Sequence, residues 1–136
     1  VCSSDLSSNN IRPGFYDVSK DEYRFVYKDA GGIQDLNTST PSTSKVAQTI
    51  SAPPNSYATI SSFVNDNDST IMFIFFFEEG QTDAAPGTGQ CDMIAAELGS
   101  VTREIKTNSS SEIYYRSSDG GVDYFVISTL SWREKY

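Results

Sequence analysis

The sequence predicts an all-β protein, an antiparallel β-sandwich or jelly roll of about eight strands with one short helix near residues 92–98. Three observations lead to this prediction. Short segments of aromatic and β-branched residues follow one another along the chain and are separated by turn residues. Ser and Thr make up 32 of the 136 residues, as is typical of strands joined by polar loops. Two segments, 71–77 and 122–130, are apolar on both faces of a strand.

The domain organisation follows from length and polarity. A chain of 136 residues can bury a core of its own, so one domain is expected. Residues 3–10 are polar and show no periodicity. We therefore predict an N-terminal arm or linker over 1–12 and a single sandwich domain over 13–136. The longest apolar run, 71–77, is far too short to span a membrane.

The first half of the domain predicts five strands. Residues 14–18 are a short candidate, and in 22–28 aromatic residues alternate with charged ones, although a capping box at 19–22 leaves a helix as the alternative. Gly31 and Gly32 then form a turn, and residues 36–44 are predicted to be a polar loop. Strands resume at 45–50 and 57–64. The polar turn 65–68 predicts that 57–64 and 70–78 form a hairpin.

Residues 71–77 are the most informative segment. Strand geometry places alternate side chains on opposite faces, and both faces are apolar here. The predicted core or assembly strand comprises Met72, Phe73, Ile74, Phe75, Phe76 and Phe77. A two-layer sandwich covers one face only, so the other must lie under a helix, a long loop or another subunit. Glu78 and Glu79 follow directly, where charges discourage stacking of this strand.

The second half predicts the helix and three closing strands. In 92–98 an acidic start, Ile94 and Leu98 on one side, and Gly99 at the end indicate a helix that covers the second face of 71–77. Strands are predicted at 101–107, 112–116 and 122–130. The last of these is apolar on both sides, so we expect it to be the neighbour of 71–77.

Charge and residue types exclude several functions. The net charge is −8 and the pI is about 4.3, without clustered cations, which argues against binding to nucleic acid or to anionic membranes. The sequence contains no histidine, the commonest general base and the usual partner of a nucleophilic Ser or Cys. We therefore predict that the protein is not an enzyme.

Two features indicate export to an oxidising compartment. Cys2 and Cys91 are the two cysteines, and we predict that they form a disulfide, with two unrelated free thiols as the alternative. Asn-x-Ser/Thr patterns begin at Asn37, Asn67 and Asn108 and are candidate glycosylation sites. The predicted location is extracellular, on a cell surface or on a virion surface.

A cation site is predicted in the turn 65–68. Asp66 and Asp68 offer carboxylate oxygens on a tight loop, which suit a hard cation such as Ca²⁺. Asp119 and Asp123 are a weaker candidate of the same kind. The turn lacks the Gly and the distal Glu of an EF-hand loop, so a plain turn is the alternative. No other cofactor is expected.

A sugar-binding platform is predicted near the C-terminus. Its candidate aromatic residues are Tyr114, Tyr115, Trp132 and Tyr136. Aromatic rings stack on sugar faces, but half-buried strand aromatics give the same pattern, so core packing is the alternative. Paired carboxylates are a weaker idea, because the adjacent Glu78 and Glu79 point to opposite faces of a strand and are a poor pair for flanking a glycosidic bond.

Together these observations predict a non-catalytic module for recognition or assembly. A structural subunit or projecting domain of a fibre, an adhesin or a virus capsid has this profile. Such a module self-associates or joins a larger assembly, and it contacts a glycan or receptor on a host or cell surface. The alternative is a lectin-like domain, assisted or not by Ca²⁺, and a carboxylate-based glycoside hydrolase comes third.

Overall fold

A computed structural model describes residues 11–17, 22–66 and 70–135, and these residues form strands and no helix. The all-β prediction is confirmed. Within the described ranges, no helix is available that is long and apolar enough to cross a membrane. The ten strands are β1 Ile11–Asp17, β2 Glu22–Tyr27, β3 Ile33–Thr38, β4 Val46–Thr49, β5 Tyr57–Asn65, β6 Met72–Phe77, β7 Met93–Ala95, β8 Leu98–Lys106, β9 Glu112–Ser117 and β10 Tyr124–Lys135.

The strands form two antiparallel sheets. One sheet has the order β1-β2-β10-β5-β8, and β3 pairs with the first half of β10. The other has the order β4-β9-β6-β7. β10 pairs with β3 through residues 125–129 and with β2 through residues 131–135. Between these halves its pairing with β5 shifts register, and Leu130 is the extra residue of a bulge.

The pairing of the strands is nested. β3 pairs with β10, β4 with β9, β5 with β8, and β6 with β7. This is the pairing of one long hairpin of eight strands rolled up into a sandwich, which is the jelly-roll topology. It brings the connections 39–45, 66–71, 96–97 and 118–123 to one end of the sandwich, which we call the loop end.

The core lies between the two sheets. In β5 the buried residues alternate with half-buried ones, as the period-two pattern of the sequence predicts. From β6, Met72, Ile74 and Phe76 point into the core. The Phe125 ring of β10 contacts the Phe76 ring at 6.5 Å between centroids. β6 and β10 therefore face each other across the core, and the prediction that they are neighbours in one sheet was wrong.

The predicted helix over 92–98 was also wrong. Met93 and Ala95 are buried and Ile94 is exposed, which is the alternation of the strand β7. Asp92 N–H donates to the carbonyl of Ile74 on β6 at 2.8 Å and fixes this pairing. Gly99 does not end a helix. It lets β8 approach β7, since a Cβ atom there would lie 2.6 Å from the carbonyl oxygen of Ile94.

Three further predictions need correction. β5 and β6 belong to different sheets, so 57–64 and 70–78 are not a hairpin. The predicted loop 36–44 begins inside β3, where pairing with β10 overrides the polar composition. The first strand begins at Ile11, two residues inside the predicted arm 1–12. The remaining predicted strands at 22–28, 45–50, 101–107, 112–116 and 122–130 each overlap a strand of the structure.

Candidate functional site

The connections of the loop end are joined in two hydrogen-bonded pairs. Val122 N–H donates to the carbonyl of Ser39 at 3.0 Å, and Ser117 N–H donates to that of Ser42 at 2.9 Å. Asp66 N–H donates to the carbonyl of Glu97 at 2.6 Å. These bonds tie the connections in pairs, so side chains that are distant in the sequence lie together on a held frame.

Exposed apolar side chains concentrate at or beside this end. Ile71 is 50% exposed, Ile94 57%, Leu98 61% and Tyr124 36%. They are four of the five large apolar side chains that are exposed among the described residues, and the fifth is Tyr23. Leu98 and Tyr124 both lie opposite Asn65 in neighbouring strands, so they belong to one row across the sheet.

The charges of the loop end are acidic. Glu97 and Asp123 are exposed, and Asp119 is half-buried in its own turn, where Oδ1 accepts from Gly121 N–H at 3.0 Å. Lys45, at the margin, directs its ammonium to the carbonyl of Gln81 at 2.6 Å, beyond the loop end. The surface therefore combines apolar side chains with carboxylates.

The predicted cation ligands are only partly described. Asp66 is 2% exposed, and Asp68 lies outside the described residues. Asp123 N–H donates to the carbonyl of Asn65, so Asp123 and Asp66 lie at the same end of the sandwich. Within the described ranges, no group of three acidic or Cys side chains is placed to hold a metal ion. The Ca²⁺ site stays a prediction.

Among the residues that the structure describes, the predicted aromatic platform is not assembled. Trp132 is 2% exposed and packs in the core, with its ring centroid 5.4 Å from those of Phe25 and Tyr27. Tyr115 is buried against Phe125. Tyr114 lies on the outer face of the other sheet, and Tyr136 is outside the described residues. The bulge at Leu130 is the physical reason, because one extra residue reverses the alternation and turns Trp132 inward.

The predicted disulfide and glycosylation sites have the following positions. Cys91 is half-buried and forms no disulfide within the part of the chain that the structure describes, and Cys2 lies outside that part. Asn37 is exposed on β3, and Asn67 is outside the described residues. Both predictions stay open at these positions.

The buried Asn108 has a structural role. Its Nδ2 donates to Glu112 Oε1 at 3.1 Å and to the Tyr114 hydroxyl at 3.2 Å, and its Oδ1 accepts from the N–H groups of Ser110 and Glu112 at 2.9 Å each. The side chain therefore holds the turn between β8 and β9. A glycan on Nδ2 would displace at least one of these bonds.

A pocket that the sequence did not indicate lies beside the last residues of β6, next to the start of β7. It has a volume of about 600 Å³ and is lined by Phe75, Phe77, Gln81, Thr82, Asp92 and Arg103, among others. We call it the edge pocket. It forms because the connection 78–92 leaves β6 and returns only at Asp92, so the last residues of β6 have no strand on that side. The pocket could not be predicted from the sequence, because it depends on the three-dimensional course of the connection 78–92.

Charged side chains beside the edge pocket form an ion pair and a hydrogen bond to the backbone of β8. Arg103 and Asp92 form an ion pair at 3.0 Å. Glu78 Oε1 accepts from the backbone N–H of Lys106 at 3.0 Å, which caps the outer edge of β8. The prediction that Glu78 discourages stacking of the strand 71–77 is not tested by this contact, which lies at the edge of β8.

Arg133 is the strongest ionic centre and lies away from the loop end. It pairs with Glu22 and, through two nitrogens at 2.5 and 2.7 Å, with Glu104. The hydrogen bond to Glu104 raises the pKa of Arg133 above its ordinary value; burial opposes this rise, and Glu22 supports it. The guanidinium also lies 4.5 Å from the ring centre of Tyr57. These contacts join β2, β10, β5 and β8 and have a structural role.

Comparison with models of known protein families finds no match to this sequence, and comparison with curated proteins finds none either.

Proposed function

We propose that the chain is a non-catalytic recognition and assembly module, located outside the cell or on the surface of a particle. The loop end is the surface that contacts the partner. A structural subunit or a projecting domain of a fibre, an adhesin or a virus capsid is the form of protein that this proposal favours. Jelly rolls serve in capsids and lectins, which agrees with the proposal at the level of fold analogy.

The observation that carries the proposal is the concentration of exposed apolar side chains at the loop end. Ile94 and Leu98 are more than half exposed, whereas the rest of the surface is rich in Ser, Thr and acidic residues. Removing apolar surface from water stabilises a complex by about 25 cal/mol for each Å². Exposed apolar residues with a polar rim are typical of interaction sites.

The sequence and the arrangement of the acids both favour binding over catalysis. The chain has no histidine to act as a base. Asp92, the acid of the edge pocket, lies against Arg103 at 3.0 Å. A glycosidase would instead need two carboxyl groups about 5 to 9 Å apart across a sugar. The extracellular location rests on Cys2 and Cys91 and on the polar composition.

We propose that the first partner is a second copy of the chain within a larger assembly. Light scattering of the full chain across the micromolar range tests this. The wild type is expected to self-associate, and the double variant Ile94→Ser, Leu98→Ser is expected to be monomeric, because it removes the two large apolar side chains that are most exposed among the described residues.

The matched control is Tyr23→Ser, which removes the exposed apolar side chain that lies on β2, away from the loop end. It should associate as the wild type does. Circular dichroism verifies that each variant is folded. A wild type that stays monomeric across the whole range overturns self-assembly, and so does a Tyr23→Ser variant that dissociates as completely as the double variant.

A further inference from the structure

The edge pocket has no free backbone edge on β6. Phe76 N–H donates to Asp92 Oδ2 at 2.7 Å, and Arg103 Nη1 donates to the carbonyl of Phe76 at 3.3 Å. Glu78 N–H donates to Gln81 Oε1 at 2.7 Å. An extended peptide binds a sheet edge through such groups. Because side chains already cap them, the pocket is poorly suited to strand addition.

The same side chains keep unused hydrogen-bonding atoms. Both oxygen contacts of Asp92 are made by Oδ2, so Oδ1 has no partner among the described residues. Arg103 uses Nη1 and Nε, so Nη2 likewise has none within the described part of the chain. The side chains are 26% and 27% exposed. The ion pair therefore leaves one acceptor atom on Asp92 and one donor group on Arg103, and both residues line the pocket.

An aromatic ring lies beside this pair. Phe75 is half-buried and lines the pocket, and its ring centroid is 5.5 Å from that of Phe77. Phe77 is in turn held beneath the Lys45 ammonium, 5.1 Å above its ring. Phe75 thus presents apolar surface from a position that its neighbours fix. The pocket combines an aromatic surface with a donor and an acceptor.

We propose that the edge pocket binds a neutral sugar unit. Each sugar hydroxyl both donates and accepts, so two neighbouring hydroxyls match Asp92 Oδ1 and Arg103 Nη2, and the C–H face of the ring packs on Phe75. The ligand is neutral because the opposite charges of Asp92 and Arg103 lie 3.0 Å apart and offset each other. The proposal concerns a different surface from the loop end and does not depend on self-assembly.

Titration of the isotopically labelled full chain with single sugars, followed by NMR, tests the proposal. The probes are galactose, mannose, N-acetylglucosamine and lactose, with a short Val-Thr repeat peptide as the competing class. At least one sugar should shift the signals of Phe75, Gln81, Asp92 and the Arg103 side-chain N–H, with the loop-end signals unchanged. Millimolar affinity is expected for a single unit in an open pocket.

A matched pair of variants locates the site. Phe75→Ala should weaken binding of that sugar about tenfold, which is the upper size of an aromatic contact. Phe73→Ala is the control, because Phe73 lies on the same strand and the same face, opposite Ile94, and does not line the pocket. It should bind the sugar as the wild type does.

Four outcomes overturn the proposal. They are the absence of any sugar-induced shift, shifts that fall outside the edge pocket, equal losses in the two Phe variants, and shifts at the pocket with the peptide alone. If Phe75→Ala does not fold, the titration of the wild type still tests the proposal. The NMR signal of the Arg103 side-chain N–H must shift when a hydroxyl binds beside it.

Discussion

β6 and β10 both carry apolar residues on their two faces, but their outer faces are shielded from solvent in different ways. Both are apolar on both faces, and both place one face in the core. The outer face of β6 is covered at its end, where Phe77 is buried and the connection 78–92 is tied down at Gln81 and Asp83, while Phe73 and Phe75 stay half-buried. β10 follows a short connection, 118–123, and Tyr124 on its outer face is exposed.

The cover of β6 is held by two cations. Lys45 contacts the rings of Phe77 and Tyr114, each at 5.1 Å, and donates to the carbonyl of Gln81. Arg116 pairs with Asp83 at 3.1 Å and donates to the carbonyl of Thr43. As a result Phe77 is 5% exposed although it points away from the core.

The outer face of β10 is shielded by side chains of the neighbouring strand in its own sheet. Val126 lies opposite Phe63 of β5, and the Phe63 and Tyr124 rings stack at 5.7 Å between centroids. These cross-strand contacts shield the face in part. The comparison shows that a two-faced apolar strand does not by itself require a partner subunit. The length of the adjoining connection decides how much of the second face reaches solvent.

The largest expected effect is at the inner face of β10. Phe125→Ala should lower the free energy of unfolding by about 3 to 5 kcal/mol, because the ring is fully buried between Phe76 and Tyr115 and leaves a cavity. Urea denaturation measures the change. Phe63→Ala, on the outer face of β5, should cost clearly less. Equal costs would contradict the distinction between inner and outer faces.

A smaller effect is expected when the cover of β6 is released. The double variant Lys45→Met, Arg116→Met should lose about 1 to 2 kcal/mol, because two cation–ring contacts and one ion pair are removed. Amide hydrogen exchange in residues 80–90 should become faster. The charge-matched control is Arg24→Met, Lys28→Met, which leaves this exchange unchanged. Unaltered exchange in the first variant would show that the connection is held by other contacts.

The smallest effect is expected on the exposed face of β10. Tyr124→Ser should lower the free energy of unfolding by about 0.2 to 1 kcal/mol, since it removes one diagonal cross-strand contact with Phe63. Phe77→Ser, on the covered face of β6, should cost more in the same urea assay. If the order is reversed, β10 rather than β6 has the better-covered outer face.

Local patterns predicted the fold class and most strands, since alternation in segments such as β5 reports which side chains are buried. They failed where a distant contact decides. β3 is polar and becomes a strand by pairing with β10, and β7 is only three residues long. Sheet membership of β5 and β6 was also beyond local reasoning, because a turn and a crossover between sheets use the same polar residues.

The candidate sites were less predictable than the fold. The acids Asp66 and Asp123 were identified from the sequence, but only the nested pairing brings them to one end of the sandwich. Trp132 was misplaced because one bulge residue, Leu130, reverses which side chains point inward. The edge pocket depends on the course of the connection 78–92, which has no periodicity to predict it.

The nested pairing also determines the order in which the chain can fold as it is synthesised. The Thr129 hydroxyl of β10 donates to the Asp35 carboxylate beside β10 in the sheet, and the two residues are 94 positions apart. β3 and β4 therefore leave the ribosome long before their partners exist. β1 and β2 lie outside the nest and pair locally. Among the nested pairs, the innermost, β6 and β7, can meet first. We expect folding to spread outward from that pair, in the range of milliseconds to seconds typical of non-local β topologies. The polar sequence of β3 then keeps an unpaired strand soluble until β10 arrives.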